Sequence, residues 1–472
     1  MITAKGHIEI IDTEYSIRTA LSIADNGSLL IDPPDVVAVQ NFAQSETTNK
    51  IYSPYGIGLS LIFIPFVISS ELLAWLTGLE VRPVLDFVLS FYNIPFAILG
   101  LYFFQKITLI LGASTRKSIF MTLCLGIGTC YWKYTVTDFS EIAQSCLLLG
   151  IIYTMLQNGK NKWYKLSFLY SLIVLLKLTY IIYFPFLIIY FTIDNLGNEN
   201  KRIIRNFLHS CTFIVPIFLF IAYLNFFRFD NVFESGYGST IKFSFDFFVR
   251  DWFGYLFSFD RGLLTFNPIL LISLVCFFFS PKIYRKPSII MGFTIGIWYL
   301  TMCFWVSWQG GYCWGNRLLT PIVPLLLLPL VFLDFNTVLS KILLILTLIG
   351  STIIQFAASF TKIHEIIEIK LKIHQLTEQI PHSQLWRGIT LFFHKITTPH
   401  AEYLAYNFGV DNSELINLGS YKSFHGYNLW IVHLLNHFGF KTYTQFAGIT
   451  ILLVTILLCI SILKIVSSHT RT

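Results

Sequence analysis

Asp12 and Glu14 stand two residues apart in the stretch Ile11-Asp12-Thr13-Glu14-Tyr15, near the start of a chain that is otherwise largely apolar. Carboxylates held at a membrane surface suit a general base, a metal ligand, or both. The ordinary alternative is a pair of solvated acids on an exposed terminal segment. A second acidic pair, Asp138 and Glu141, sits between two apolar runs. Taken alone it also reads as helix-end polarity, with Asp138 favouring a helix N-terminus. Three cations are placed to meet an anion. Lys177 lies inside an apolar run, where an ionisable group is costly and commonly functional, unless it snorkels near a kink. Arg261 follows Asp260 shortly before Asn267-Pro268 opens an apolar run, and Arg317 ends a Gly- and Trp-rich loop. A guanidinium there can grip anionic oxygens in pairs, or else meet lipid headgroups.

The elements that must position these residues are membrane helices. Of 472 residues, 55% are hydrophobic and only 12% charged, where a soluble domain carries roughly twice that charge. Apolar runs near the ~20 residues needed to cross a bilayer recur along most of the chain. The sequence therefore predicts an all-α, polytopic membrane protein with about 11–12 membrane-embedded helices. The net charge of +7 calls for no nucleic acid, because Lys and Arg gather in short loops between apolar runs. Eight cysteines are scattered singly with no CxxC pair, which fits small buried hydrophobes better than a disulfide or metal framework.

In order, Met1–Lys50 contains no spanning run, and Tyr15–Ala24 reads as a short helix stopped at Asp25-Asn26-Gly27. Tyr52–Gly78 is apolar but carries Pro54, Gly56, Pro65 and Glu71, so it either crosses or lies in the membrane surface. Leu166–Thr192 is long for one span and short for two, and Pro185 with Lys177 predicts a bent pair of short helices. Basic loops at 116–117, 160–165, 201–205 and 282–286 all belong in the cytoplasm by the positive-inside rule, and the runs between them come in pairs. That places Asp138, Glu141 and the loops 228–267, 308–317 and 361–443 together on the outer face. Phe360–Ile380 has the spacing of an interfacial helix. The histidines at 364, 374, 382, 394, 400, 425 and 433 show no zinc-ligand spacing and read as polar surface.

Several stretches then carry a resemblance: Asp12-Thr-Glu14, Tyr52-Ser-Pro-Tyr-Gly-Ile-Gly58, Phe139-Ser-Glu141, Leu175-Leu-Lys177 and Asn225…Gly236-Tyr237. Two more are Leu256-Phe-Ser-Phe-Asp-Arg-Gly-Leu-Leu264 and Trp308-Gln-Gly-Gly-Tyr-Cys-Trp-Gly-Asn-Arg-Leu-Leu-Thr-Pro321. In order and spacing they resemble the GT-C superfamily of polyprenyl-phosphate-sugar-dependent glycosyltransferases, in the branch of protein O-mannosyltransferases and the lipid A aminoarabinose transferase. They span about two-thirds of the chain. In such enzymes a transmembrane helix precedes the acidic loop. The resemblance therefore predicts a truncated start, with Tyr55–Gly78 as a membrane-surface element of the first outer loop. The expected organisation is a catalytic region over 1–359 with its first outer loop at 1–54, an outer cap segment at 360–443, and a last helix with a cytoplasmic tail at 444–472.

The resemblance implies transfer of a sugar from a lipid phosphate to an acceptor hydroxyl with inversion, at the extracytoplasmic face of the cell (inner) membrane. Asp12 is then the base, Glu14 orients it, binds acceptor or shares a cation, and Asp138 and Glu141 complete an acidic cluster. Lys177, Arg261 and Arg317 would bind the donor phosphate. Tyr52, Tyr55, Tyr237, Trp308, Tyr312 and Trp314 could stack on sugar faces, against the common role of such aromatics as interfacial belts. Asn316 would donate to phosphate or sugar, and Gly310, Gly311 and Gly315 would let backbone approach. A divalent cation is compatible with the acids but not named by them. Two other classes compete: an O-antigen ligase or polymerase, which relies on a large late loop, and a transporter or flippase. The second normally shows repeated broken helices, and no such duplication is found.

Overall fold

Apolar runs with no water around them must satisfy each backbone N–H and C=O internally, and the helix does this within one segment. A computed structural model of the chain describes residues 3–8, 11–31, 43–45, 49–236, 243–278, 284–311, 313–333, 337–361, 363 and 383–397, with scattered positions from 429 to 461. Among these the protein is all-α apart from one two-residue antiparallel pair, Ala43–Gln44 with Ile51–Tyr52. The helices Ile57–Thr77, Leu178–Asn195, Asn200–Phe229 and Val338–Phe360, and the stretch Val81–Ile110, are long and apolar enough to cross a membrane. The polytopic all-α architecture expected from the sequence is the one observed. The seven described cysteines are free thiols.

The helices used below are α1 (Ile11–Asn26), α2 (Ile57–Thr77), α3 (Val81–Leu89), α4 (Asn93–Ile110), α5 (Thr115–Gly128), α6 (Cys130–Thr135), α7 (Glu141–Leu156) and α8 (Lys162–Leu176). They continue as α9 (Phe184–Asn195), α10 (Asn200–Phe229), α11 (Phe248–Phe257), α12 (Leu263–Phe266), α13 (Ile269–Phe278), α14 (Arg285–Cys303), α15 (Val323–Leu327), α16 (Val338–Phe360) and α17 (Gln384–Thr397).

From α4 onward the chain shuttles between two ends of a bundle. One end is basic. Lys162 Nζ donates to both carboxylate oxygens of Asp194 at 2.9 and 3.0 Å, and Lys286 lies 3.6 Å from the same carboxylate. Lys117 Nζ donates to the carbonyls of Val331 and Leu333 at 2.5 and 2.9 Å, satisfying groups that a helix C-terminus leaves open. At the opposite end Asn93 Nδ2 donates to the carbonyls of Tyr134, Thr137 and Phe139. There too Cys130 N donates to Asn267 Oδ1 at 2.6 Å, and Lys133 Nζ to Ala358 O at 2.6 Å.

The helix α7 is the axis of this bundle, buried on every side over most of its length. A helix apolar all round belongs in such a place. It is approached closely by α4, where a Cβ on Gly100 would fall 3.6 Å from the Cys146 Cα and 2.2 Å from the Tyr131 hydroxyl. The predicted bent pair at Leu166–Thr192 is a hairpin whose arms are α8 and, through a 3-10 turn at Leu178–Tyr183, α9. Its reversal falls at Lys177, in extended conformation, and not at Pro185, which occupies the first turn of α9 where its missing N–H costs nothing. Lys177 is thus at a hairpin tip.

The apolar stretch Val81–Ile110 is interrupted. Both ends of α3 meet the Asn93 end of the bundle: Arg82 bonds Glu14, and Tyr92 just beyond it donates to the carbonyls of Asp138 and Phe139. So α3 lies across that end, with α1 and α2 packed on it through Ile17, Ala20, Leu59, Phe63, Leu85 and Leu89. The start of α2 sits on the tip of α8, where Gly58 leaves no room for a side chain beneath the Leu175 carbonyl.

Candidate functional site

The first turn of α1 brings Asp12 to the centre of the non-basic end. Thr13 Oγ1 donates to the Asp138 carbonyl at 2.8 Å and pins that turn to the loop before α7. Tyr55 Oη then donates to Asp12 Oδ1 at 2.7 Å, and Arg317 Nη2 to Asp12 Oδ2 at 2.9 Å. Charge-assisted bonds from two sides fix the carboxylate's orientation. The Arg317 guanidinium also lies 4.2 Å from the Phe139 ring centroid, a cation–π distance.

Behind this pair Glu141 opens α7, only 3% exposed, and its Oε2 has no hydrogen-bond partner among the described residues. It lies within electrostatic reach of Arg317 and Lys177, and Lys177 in turn of Asp12. The Lys177 ammonium makes no hydrogen bond or ion pair among the described residues and sits 5.9 Å from the Trp298 ring. Trp298 stacks on Tyr180 at 4.3 Å and donates from Nε1 to the Leu318 carbonyl, so it forms a floor between the lysine tip and the segment that begins at Arg317. Two carboxylates and two cations from four distant parts of the chain therefore share one place. The backbone of Asp138 helps to hold them.

Other expected residues lie elsewhere. Glu14 turns to Arg18 and Arg82, with Arg18 Nε at 2.9 Å and Arg82 Nη1 and Nη2 at 3.0 and 2.5 Å. Burial pushes its carboxyl up, but these hydrogen bonds and charges outweigh burial and hold it below the ordinary value. It ties α1 to α3 and does not bond Asp12. Arg261 is engaged by backbone: Nη1 donates to the carbonyls of Cys313 and Gly315, Nη2 to that of Gly311. Trp308 packs edge-on against Tyr255, and Trp314 against Phe266. Asn316 Oδ1 accepts from Leu319 N and so caps the 3-10 turn that carries Arg317. Tyr52 is buried against Phe229, beside a small cavity that also touches Thr19, Ser53, Tyr55, Ser60 and Arg228. Tyr237, Tyr312, the helix expected at Phe360–Ile380 and nearly all the histidines lie outside the described residues; the His394 side chain does too.

Sequence reasoning missed Arg82, Arg228, Trp298 and Gln384. No spacing or motif marks them. Among the described residues no three His, Cys, Asp or Glu side chains come together as a metal site.

No family model and no curated protein matches this chain. Crystal structures of ArnT from Cupriavidus metallidurans are similar to it in fold. One, bound to undecaprenyl phosphate, is 12% identical over 99% of this chain and 74% of its own, with a TM-score of 0.49. Another, in the apo state, is 11% identical over the same shares, with a TM-score of 0.47.

Proposed function

We propose that this protein is a membrane glycosyltransferase that moves a sugar from a polyprenyl-phosphate donor to an acceptor hydroxyl, with inversion. The observation that supports it most is the meeting of Asp12, Arg317, Glu141 and Lys177 at the bundle end opposite the basic loops. The positive-inside rule assigns the basic end to the cytoplasm and this site to the extracytoplasmic face. The resemblance of the motifs that supply these four residues points the same way. In this reading residues 1–359 form the catalytic region, 360–443 an outer cap, and 444–472 a last helix with its tail.

The chemistry asks one group for each charge that moves. Asp12 accepts the proton of the acceptor hydroxyl as its oxygen bonds the anomeric carbon. The bond from that carbon to the phosphate oxygen breaks, and its electron pair leaves with the lipid phosphate. Lys177, with no hydrogen bond or ion pair among the described residues, and Arg317 balance that anion where it forms. Tyr55 keeps Asp12 aimed. Glu141 offsets the two cations while the donor is absent, since buried charges persist only when compensated.

The test is transfer in proteoliposomes, with labelled pentosyl and hexosyl polyprenyl phosphates and a membrane extract as acceptor. Asp12→Asn keeps the shape but takes no proton, so turnover should fall by about 10²–10⁴-fold while donor binding stays near wild type. Lys177→Met should instead weaken donor binding. If wild-type protein carries labelled lipid or sugar across the bilayer without forming product, the protein is a transporter and this reading is wrong.

A further inference from the structure

The turn before Arg317 has two backbone bonds of its own among the described residues, Gly310 N to the Ser307 carbonyl at 3.0 Å and Cys313 N to the Gly311 carbonyl at 2.9 Å. Gly310, Gly311 and Gly315 have φ of 68°, 75° and 55°, a left-handed backbone that throws successive carbonyls to one side. Such carbonyls cannot stay unsatisfied in a buried place. Three side chains from far along the chain bond them, and the first is Tyr134, whose Oη donates to the Trp314 carbonyl at 2.6 Å. Arg261 spans three carbonyls, those of Gly311, Cys313 and Gly315, and its Nη1 also lies 3.1 Å from Cys313 Sγ. Gln384, at the start of α17, donates from Nε2 to the Cys313 carbonyl at 2.8 Å and accepts from Gly315 N at 2.8 Å.

The last two are also joined to each other. Gln384 N donates to the carboxylate of Asp260 at 2.7 Å, and Leu385 N to the Phe259 carbonyl at 3.1 Å. On the far side of the turn, a Cβ on Gly310 would lie 3.1 Å from Arg317 Cγ, so the turn backbone rests on the stem of Arg317. The Gly315 position is closed by Phe266, 2.7 Å from such a Cβ. The clamp thus acts on the backbone immediately before Arg317, beside the Asn316 cap and the Trp298 bond to the Leu318 carbonyl that hold the segment after it.

We infer that Arg261 and Gln384 are positioning residues that hold the backbone of Gly311, Cys313 and Gly315 and so set Arg317 against Asp12. In this inference the Nη1 and Nη2 groups of Arg261 serve these carbonyls and not the phosphate. The inference rests on the reading of Asp12 and Arg317 as that centre. A planar fork is needed to reach three carbonyls, and a lysine has only a point charge to offer.

The experiment uses Arg261→Lys, Gln384→Ala and Gln384→Glu in the full chain. Gln384→Glu keeps an acceptor for Gly315 N and loses the donor to Cys313. Maleimide labelling of Cys313, which is buried in the clamp, is read against Cys313→Ser as background and needs no turnover. Arg261→Lys and Gln384→Ala should each speed it at least about tenfold, with Gln384→Glu between them and wild type. In transfer assays kcat should fall in the same order, while binding of a labelled polyprenyl phosphate stays within about twofold. Unchanged labelling would overturn the clamp. So would a tenfold loss of polyprenyl-phosphate binding in Arg261→Lys with single-turnover rate at saturation intact, which would make Arg261 a phosphate ligand. If labelling responds as expected but wild-type protein transfers no sugar, the clamp stands and the assignment of the transferase site falls.

Discussion

At the scale of single residues, Asp12 and Glu14 show how two acids on one helical turn acquire different work. They are two positions apart, so they leave α1 about 200° from each other. Asp12 faces Tyr55 and Arg317, Glu14 faces Arg18 and Arg82. The spacing was readable in the sequence; the partners were not, because Arg82 and Arg317 lie 68 and 305 residues from the acids they bond. The Glu14 carboxyl is held below its ordinary value of 4.5, which fixes the sign of its contribution. Its stabilisation is complete above the ordinary value and is lost as pH falls through the lower folded value. Glu14→Gln should therefore cost about 1 kcal/mol at neutral pH, discounted because Arg82 is partly exposed. The gap from wild type, measured by thermal unfolding in detergent across pH, should close only below 4.5. A gap that persists to lower pH would mean that shape, not charge, ties α1 to α3.

At the scale of elements, hydrophobic runs located most helices but not what they do. The run from Phe87 to Gly112 reads as one span, yet its crossing helix starts at Asn93, whose amide is consumed by three carbonyls of the 134–139 turn. Hydropathy is blind to that, since it counts apolar residues and not the direction in which a chain turns. Likewise Pro185 attracts attention as a kink, while the true reversal at Lys177 has no proline or glycine. The seat of α2 depends on Gly58, whose added Cβ would stand 2.6 Å from the Leu175 carbonyl oxygen and 2.7 Å from the Leu176 Cα. Those are backbone atoms and cannot swing aside. Gly58→Leu should destabilise by about 1–3 kcal/mol, lowering the unfolding temperature in detergent and loosening α1, seen as faster proteolysis within residues 11–31. A variant as stable as wild type would show that α2 is not fixed against α8.

At the scale of the whole molecule, the basic loops and the Asp12 site occupy opposite ends; charge bias in the sequence already set Asp138, Glu141 and the 308–317 loop apart from the basic loops, while Asp12 joined them only through the resemblance. Single cysteines introduced near 160–165 and 201–205 should be labelled by an impermeant maleimide only after the membrane is opened. Those introduced at Leu79 or Glu80, between α2 and α3, and at Ser307 or Gln309 should be labelled in sealed cells. The reverse pattern would remove the site from the outer face. The cross-piece has its own consequence. Ile68, Leu72, Trp75 and Leu76 of α2 are exposed, and they form the apolar half of a helix that holds α1 and hence Asp12. The opposite side of α2 packs through Leu59, Phe63 and Val67 in one cluster with Ile17 and Ala20 of α1, so one helix presents apolar surface outward and carries the Asp12 helix inward. The position of Asp12 is thereby shared between that helix and the loop before α7, which holds Thr13 through the Asp138 carbonyl.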